Sequence, residues 1–272
     1  MSGENETSRQ HVYGRTKGKA LRSRQANLME TLFPRVSISL EEKQIDPRPL
    51  FGGVKEVWLE IGFGGGEHLA HQAETHPEIG IMGCEPFLNG VAKLVSEIDA
   101  RSLSNVRILN DDARFLLERL APASLARVFI LYPDPWPKKR HNKRRFMNPE
   151  TLGFLARALK PGGELRFASD IPDYIAWTLA HVSRFNRENG ETFVWTAECA
   201  ADWRTPYKGW PGTRYEAKAI AASVAGRRGC AAIPHAACSS RRVADSVKRG
   251  ATKNCAKRSS ASSRCGCVTS KW

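Results

Sequence analysis

"VKEVWLEIGFGGGEHLA", residues 54–70, sets an apolar strand-like run against a loop with glycines at 62, 64, 65 and 66 and a helix-like segment beyond it. Glycines at such a turn allow a tight backbone and close approach of a ligand. The dinucleotide fingerprint G-x-G-x-x-G fails here, because its last position is Glu67. What remains is a pattern led by an acid, Glu60-x-Gly62-x-Gly64-x-Gly66.

The same alternation continues downstream. Strand-like runs occupy 54–61, 79–85, 105–109, 126–132 and 163–169, with helix-like segments at 66–75, 88–102, 112–120, 149–159 and 172–187. In 149–159, Asn148 is placed to cap, Pro149 suits the first turn, and Leu152, Leu155, Ala156 and Leu159 share one face. Alternating strands and helices predict βαβ units, hence a doubly wound, mostly parallel α/β sheet with helices on both faces. Ligands of such sheets bind beyond the carboxyl ends of the strands.

Acids stand at three of those ends: Glu60, then Glu85 in "GCEPF", then Asp111 or Asp112 in "NDDARFL". This set suits S-adenosylmethionine better than a dinucleotide. Its methionine portion presents an ammonium in place of a pyrophosphate, its ribose hydroxyls suit Glu85, and its adenine amino group suits Asp111 or Asp112.

The fourth strand ends in "YPDPWPKKRHNKRR", residues 132–145. Prolines on both sides restrict Asp134 and Trp136. A fixed aromatic can stack on a base, and a fixed carboxylate can accept from its N–H edge. The Lys and Arg residues that follow suit phosphates, which position a nucleic acid without reading it.

Composition agrees. With 272 residues, 41% of them hydrophobic, the chain supports one substantial core. No run is long and apolar enough to span a bilayer, and "MSGENETSRQ" lacks the apolar stretch of a secretory signal, so a cytoplasmic protein is expected. The net charge is +14, but residues 51–220 are almost balanced, with 22 bases against 21 acids. Residues 221–272 hold eleven bases against one acid, Asp245. Three regions are expected: a basic arm at 1–50, a catalytic domain at 51–220, and a basic, disordered tail at 221–272. The seven cysteines form no CxxC pair. His235 and Cys238 lack the paired spacing of a zinc site, and His68 and His71 read as a surface helix face, so no metal is expected.

Together, "LEIGFGGGEHL", "GCEPF", "NDDARFL", "YPDPWPKKRHNKRRF", "ELRFASDIPDY" and "TPYKGWPGTRYE" resemble the bacterial tRNA (guanine-N7-)-methyltransferase family over roughly residues 12–220. The resemblance implies a seven-stranded, Rossmann-like fold dependent on S-adenosylmethionine, acting on the guanine at tRNA position 46, as a monomer or homodimer. It assigns Glu60, Glu85, Asp112 and Asp134 to the cofactor, beside Gly62 and Gly64, with Asp134 the active-site residue. Lys138, Asp170 and Thr213-Arg214-Tyr215-Glu216 match substrate-binding positions. Arg140, His141, Asn142, Lys143, Arg144 and Arg145 match the RNA-contacting stretch. Asp170 also reads as a cap for the helix at 172–187.

Guanine N7 carries a lone pair and no proton, so the reaction requires no general base. Asp134 is expected to act by orientation and electrostatics as positive charge develops on the base. The pattern breaks after "TRYEAKAIAA", where the family runs into a final apolar strand and this chain becomes rich in Ser, Cys, Lys and Arg. A frameshift near codon 222, with loss of the last strand, is one reading; an RNA-gripping basic tail is the other. The rival to an active enzyme is a non-catalytic RNA-binding protein derived from a damaged copy.

Overall fold

The computed structural model describes residues 13–197, 210–212 and 238–242. Seven strands form its sheet: β1 (Val57–Ile61), β2 (Gly80–Cys84), β3 (Val106–Leu109), β4 (Leu125–Leu131), β5 (Leu159–Ala168), β6 (Phe193–Trp195) and β7 (Cys238–Arg242). Their order is β3-β2-β1-β4-β5-β7-β6. The first five run parallel, and β7 lies antiparallel to both β5 and β6. The helices are α1 (Ser23–Thr31), α2 (Phe33–Val36), α3 (Glu67–Thr75), α4 (Leu88–Arg101), α5 (Ala113–Arg119), α6 (Pro149–Ala158) and α7 (Pro172–Asn189).

Strand alternation divides the core into two layers. Val57, Leu59 and Ile61 of β1 pack with Leu116 and Leu117 of α5 and Leu152 and Leu155 of α6. Trp58 faces the other way, into a layer with Leu69 of α3 and Val91, Leu94 and Val95 of α4. Each fully buried leucine here contributes about 1.5–3 kcal/mol. The cap expected for α6 is present: Thr151 N–H donates to Asn148 Oδ1 at 3.1 Å, and Asn148 N–H donates to Thr151 Oγ1 at 3.2 Å.

Two stretches behave differently from their composition. Residues 13–50, expected as an arm, run against β3 and the end of α5: Ile38 N–H donates to Ile108 O and Ile45 N–H to Arg119 O, both at 2.8 Å. Leu28 and Val36 enter one core layer, Ile38 and Ile45 the other. The slot between β5 and β6 is filled by β7, with Arg166 opposite Ser239 and Val194 opposite Arg241. A sheet ladder is built from backbone groups, and the facing edges of β5 and β6 offer donors and acceptors to any extended segment. A strand can therefore form there without apolar alternation. The rest of 221–272, with the expected disorder and the frame break near residue 222, lies outside the described residues. Among the described residues no helix is long and apolar enough to cross a membrane.

β1 and β4 are neighbours, but the chain leaves them in opposite directions, β1 towards β2 and β4 towards β5. This is the switch point at which a doubly wound sheet opens a crevice.

Candidate active site

A cavity of about 430 Å³ opens at that point, lined among others by Gly62, Gly64, Glu85, Asp112, Tyr132, Asp134 and Trp136. Its floor is the glycine loop. Gly62 and Gly64 have φ of 71° and 58°, in the region closed to most side chains. A Cβ on Gly62 meets no atom within 4 Å among the described residues, so this backbone faces open space. The loop also abuts the first turn of α4, where a Cβ on Gly90 would lie 2.2 Å from Gly64 O.

Glu85 holds this arrangement together. Its Oε2 accepts from Gly64 N–H at 2.8 Å and its Oε1 from Phe87 N–H at 2.9 Å. Burial raises its pKa, and the two backbone donors oppose that shift. Asp112 caps α5 by accepting from Arg114 N–H at 2.9 Å. It also pairs with the Arg114 guanidinium, Nε–Oδ1 3.0 Å and Nη2–Oδ2 2.5 Å. Asp111 accepts from Asp112 N–H at 2.7 Å and is not among the lining residues.

Glu60 stands apart from the other acids. It is buried beneath the loop, its Oε2 2.6 Å from His68 Nδ1, and it does not line the cavity. His68 therefore does not lie on a surface helix face: it is 3% exposed and packs edge-on to Phe129. The buried Glu60 carboxyl gives it a hydrogen-bond partner there. Among the described residues no group of His, Cys, Asp and Glu can hold a metal ion.

At the end of β4, Tyr132 and Trp136 have φ of 51° and 43°, left-handed backbone at two bulky residues. Such conformations persist only where the surroundings impose them, and they gather at functional sites. They bracket Asp134, whose carboxyl is pushed above its ordinary range by burial. The Asn142 amide faces Trp136 O and Lys138 O, and with its nitrogen assigned to that side it donates to them at 3.1 and 3.2 Å, tying the basic loop back to the turn.

The basic run forms a 3-10 helix, Lys139–Arg144. Lys138, Lys139, Arg140 and Lys143 are exposed, and His141, Asn142 and Arg144 are half-buried. Burial, with the charges of Arg144, Arg140 and Lys138, lowers the His141 pKa. Arg145 differs from its neighbours: it is 1% exposed, so its expected place on the RNA-contacting surface is corrected. The Pro135 carbonyl takes up its Nε and the Asp173 carboxylate its Nη2, while its Nη1 is buried without a hydrogen-bond partner. Asp170 is exposed at the end of β5 and does not cap α7, whose N-cap is Ile171. Thr213, Arg214, Tyr215 and Glu216 lie outside the described residues.

Sequence reasoning overlooked Tyr13, Gly14 and Arg15, which also line the cavity. They are held by a strap on α4: Leu88 N–H donates to Thr16 O at 2.9 Å, Gly18 N–H to Asn89 Oδ1 at 2.7 Å, and Asn89 Nδ2 to Lys19 O at 2.7 Å. The Arg144 guanidinium lies 4.9 Å from the ring centres of both Tyr13 and Trp136. The "VYG" of 12–14 was the available signal, an aromatic and a glycine inside a basic stretch.

Residues 54–223 match a protein family described as "Putative methyltransferase". The tRNA (guanine-N(7)-)-methyltransferase of Azorhizobium caulinodans is 55% identical over 211 residues, covering 77% of this chain and 89% of that protein. The enzyme of the same name from Rhizobium meliloti is 52% identical over 209 residues, covering 76% and 88%. That from Mesorhizobium japonicum is 50% identical over 224 residues, covering 81% and 94%.

Proposed function

The chain belongs to the tRNA (guanine-N(7)-)-methyltransferase family, and we propose that it methylates N7 of the guanine at position 46 of tRNA, in the variable loop, in the cytoplasm. The observation that carries this reading is the junction of two loops across β1 and β4. An open glycine floor on one side meets, on the other, a carboxylate between two left-handed aromatic residues, followed at once by exposed cations.

The residues present fit S-adenosylmethionine. The lining is rich in carboxylate acceptors, with Glu85 and Asp112 lining the cavity, and the floor at Gly62 leaves space for a ligand. Glu85, Asp112, Gly62 and Gly64 would hold the cofactor, with Glu60 bracing the loop from below through His68. Bound there, the cofactor supplies a methyl group activated by its sulfonium.

The chain's own part is placement. N7 offers a lone pair and needs no base, so the rate depends on holding the purine in line with the methyl group. Trp136 offers a face for stacking. Asp134, exposed among the residues that line the cavity, stabilises the positive charge that develops on the imidazole ring as N7 is alkylated. Lys138, Arg140 and Lys143 supply phosphate contacts. Asp170 stands exposed at the end of the neighbouring strand β5, suited to the N–H edge of the base. Thr213–Glu216 complete the substrate set that the family implies.

The test is transfer of labelled methyl from S-adenosylmethionine to unmodified tRNA, followed by borohydride and aniline cleavage to locate N7-methylguanine. Cleavage at position 46 is expected. Transfer to another site, or none with tRNA still bound, removes the reading.

A further inference from the structure

Arg145 ends the run of cations but shares none of their exposure. Its side chain is 0% exposed, while Asp173, its partner at the start of α7, is 72% exposed. Its Nε donates to Pro135 O at 2.9 Å, and Asp173 accepts from its Nη2. The rings of Tyr174 and Trp177 lie 5.1 and 5.2 Å from its guanidinium carbon. Its backbone is fixed as well, with N–H donating to Asn142 O at 2.9 Å and O accepting from Asn148 Nδ2 at 3.1 Å. To reach a phosphate, this guanidinium would have to give up a carbonyl, a carboxylate and two ring faces.

We propose that Arg145 is a positioning residue for methyl transfer: it clamps the Pro135 carbonyl to α7 and so fixes the direction of the adjoining Asp134 carboxylate. Pro135 lies between Asp134 and Trp136, inside the turn whose two bulky residues are left-handed. A turn of that kind relaxes unless its surroundings hold it. Among the described residues, Arg145 is the side chain that ties its Pro135 carbonyl to a second element of the fold. The fork matters as well as the charge, because one planar guanidinium serves Pro135 O and Asp173 together, which a lysine ammonium on a flexible stem does not reproduce. The role departs from the RNA contact implied for 140–145, and it rests on the reading of Asp134 as the group that faces the reacting base.

The experiment compares wild type, R145K, R145M, D173A and, as a phosphate-contact control, R140M. Turnover at saturating tRNA, KM for tRNA, and tRNA affinity across a range of salt are measured for each. R145K and R145M should both lose turnover by about 100-fold, the scale of a displacement of about 1 Å at a reacting centre. Their KM for tRNA and their salt slope should stay at wild-type values. D173A should lose turnover in the same direction with the slope unchanged. R140M should lower the salt slope by about one unit.

R145K at wild-type turnover overturns the proposal, as does an R145M slope that falls like that of R140M. Should the Arg145 variants fail to fold, D173A at its exposed carboxylate carries the test, and wild-type turnover there overturns the clamp. Wild-type protein that transfers no methyl to tRNA removes the functional reading itself, and the salt slopes still decide whether Arg145 meets phosphate.

Discussion

Two loops leave adjacent parallel strands at the switch point, and they are made rigid in opposite ways. The loop after β1 enters left-handed backbone at Gly62 and Gly64, where the absence of a Cβ removes the steric cost. The loop after β4 enters the same region at Tyr132 and Trp136, where each such residue costs about 1–3 kcal/mol. The first loop leaves open space beside its backbone at Gly62, and a buried glutamate holds it through N–H donors. The second must present a carboxylate and an aromatic ring, so it carries strain that Asn142 and Arg145 hold in place from outside. In the proposed function the cofactor falls on the side of low strain and the chemistry on the side of high strain.

The largest effect is expected at the strained loop. D134N keeps the shape of the side chain and removes its charge. Loss of one electrostatic partner of a developing charge costs about 10²–10³-fold in turnover. Cofactor affinity should change far less, because Gly62, Gly64 and Glu85 are untouched. Isothermal titration with the cofactor and single-turnover kinetics separate the two. Full turnover in D134N would erase the functional contrast between the loops.

The glycine loop breaks by crowding. G90A places a methyl group 2.2 Å from Gly64 O, a backbone atom with little room to retreat. Overpacking of this kind costs about 1–3 kcal/mol, read as a lower melting temperature together with weaker cofactor binding. G153A is the control within the same fold. Its Cβ meets nothing within 4 Å among the described residues, and its backbone is helical in α6. It should gain about 0.4–1 kcal/mol by restricting the unfolded chain, with binding unchanged. A loss in both variants would mean that glycine is generally required here and that the loop is not special.

What the sequence revealed of these loops follows from the range of the signals. The five parallel strands, the cap of α6 and the glycine turn are local patterns, and each was readable from fewer than about fifteen neighbouring residues. The strap at Tyr13 was not, because it depends on bonds from Gly18 and Lys19 to Asn89, seventy residues away. The same limit hid the buried partners of the charged groups. Arg145 looked like its exposed neighbours until α7 brought Asp173, Tyr174 and Trp177 around it. His68 looked like a surface residue until Glu60 was found beneath its helix. The place of β7 is set by the edges of β5 and β6, so its own residues carry little of the signal.

The smallest expected effect lies in how the strained loop bears its charge. Burial raises the Asp134 pKa above the ordinary 3.8. Between the ordinary and the raised value the folded chain keeps a proton that the unfolded chain has released. Above that window both states are ionised, and the folded state bears the small cost of a carboxylate that is only partly desolvated and still exposed to solvent. As pH falls through the raised value the cost fades, and below the ordinary value it is gone. D134N removes the charge at every pH, so it should melt slightly higher than wild type near about pH 7, with the gap closing as the pH falls towards about 4. Calorimetry at both pH values reads this directly. A gap at about pH 7 alongside lost turnover means that the loop gives up stability to hold an ion where the base will become positive. The absence of a gap there would mean that contacts from the turn already balance the charge, and the strain at Tyr132 and Trp136 would then be the main energetic cost of the site.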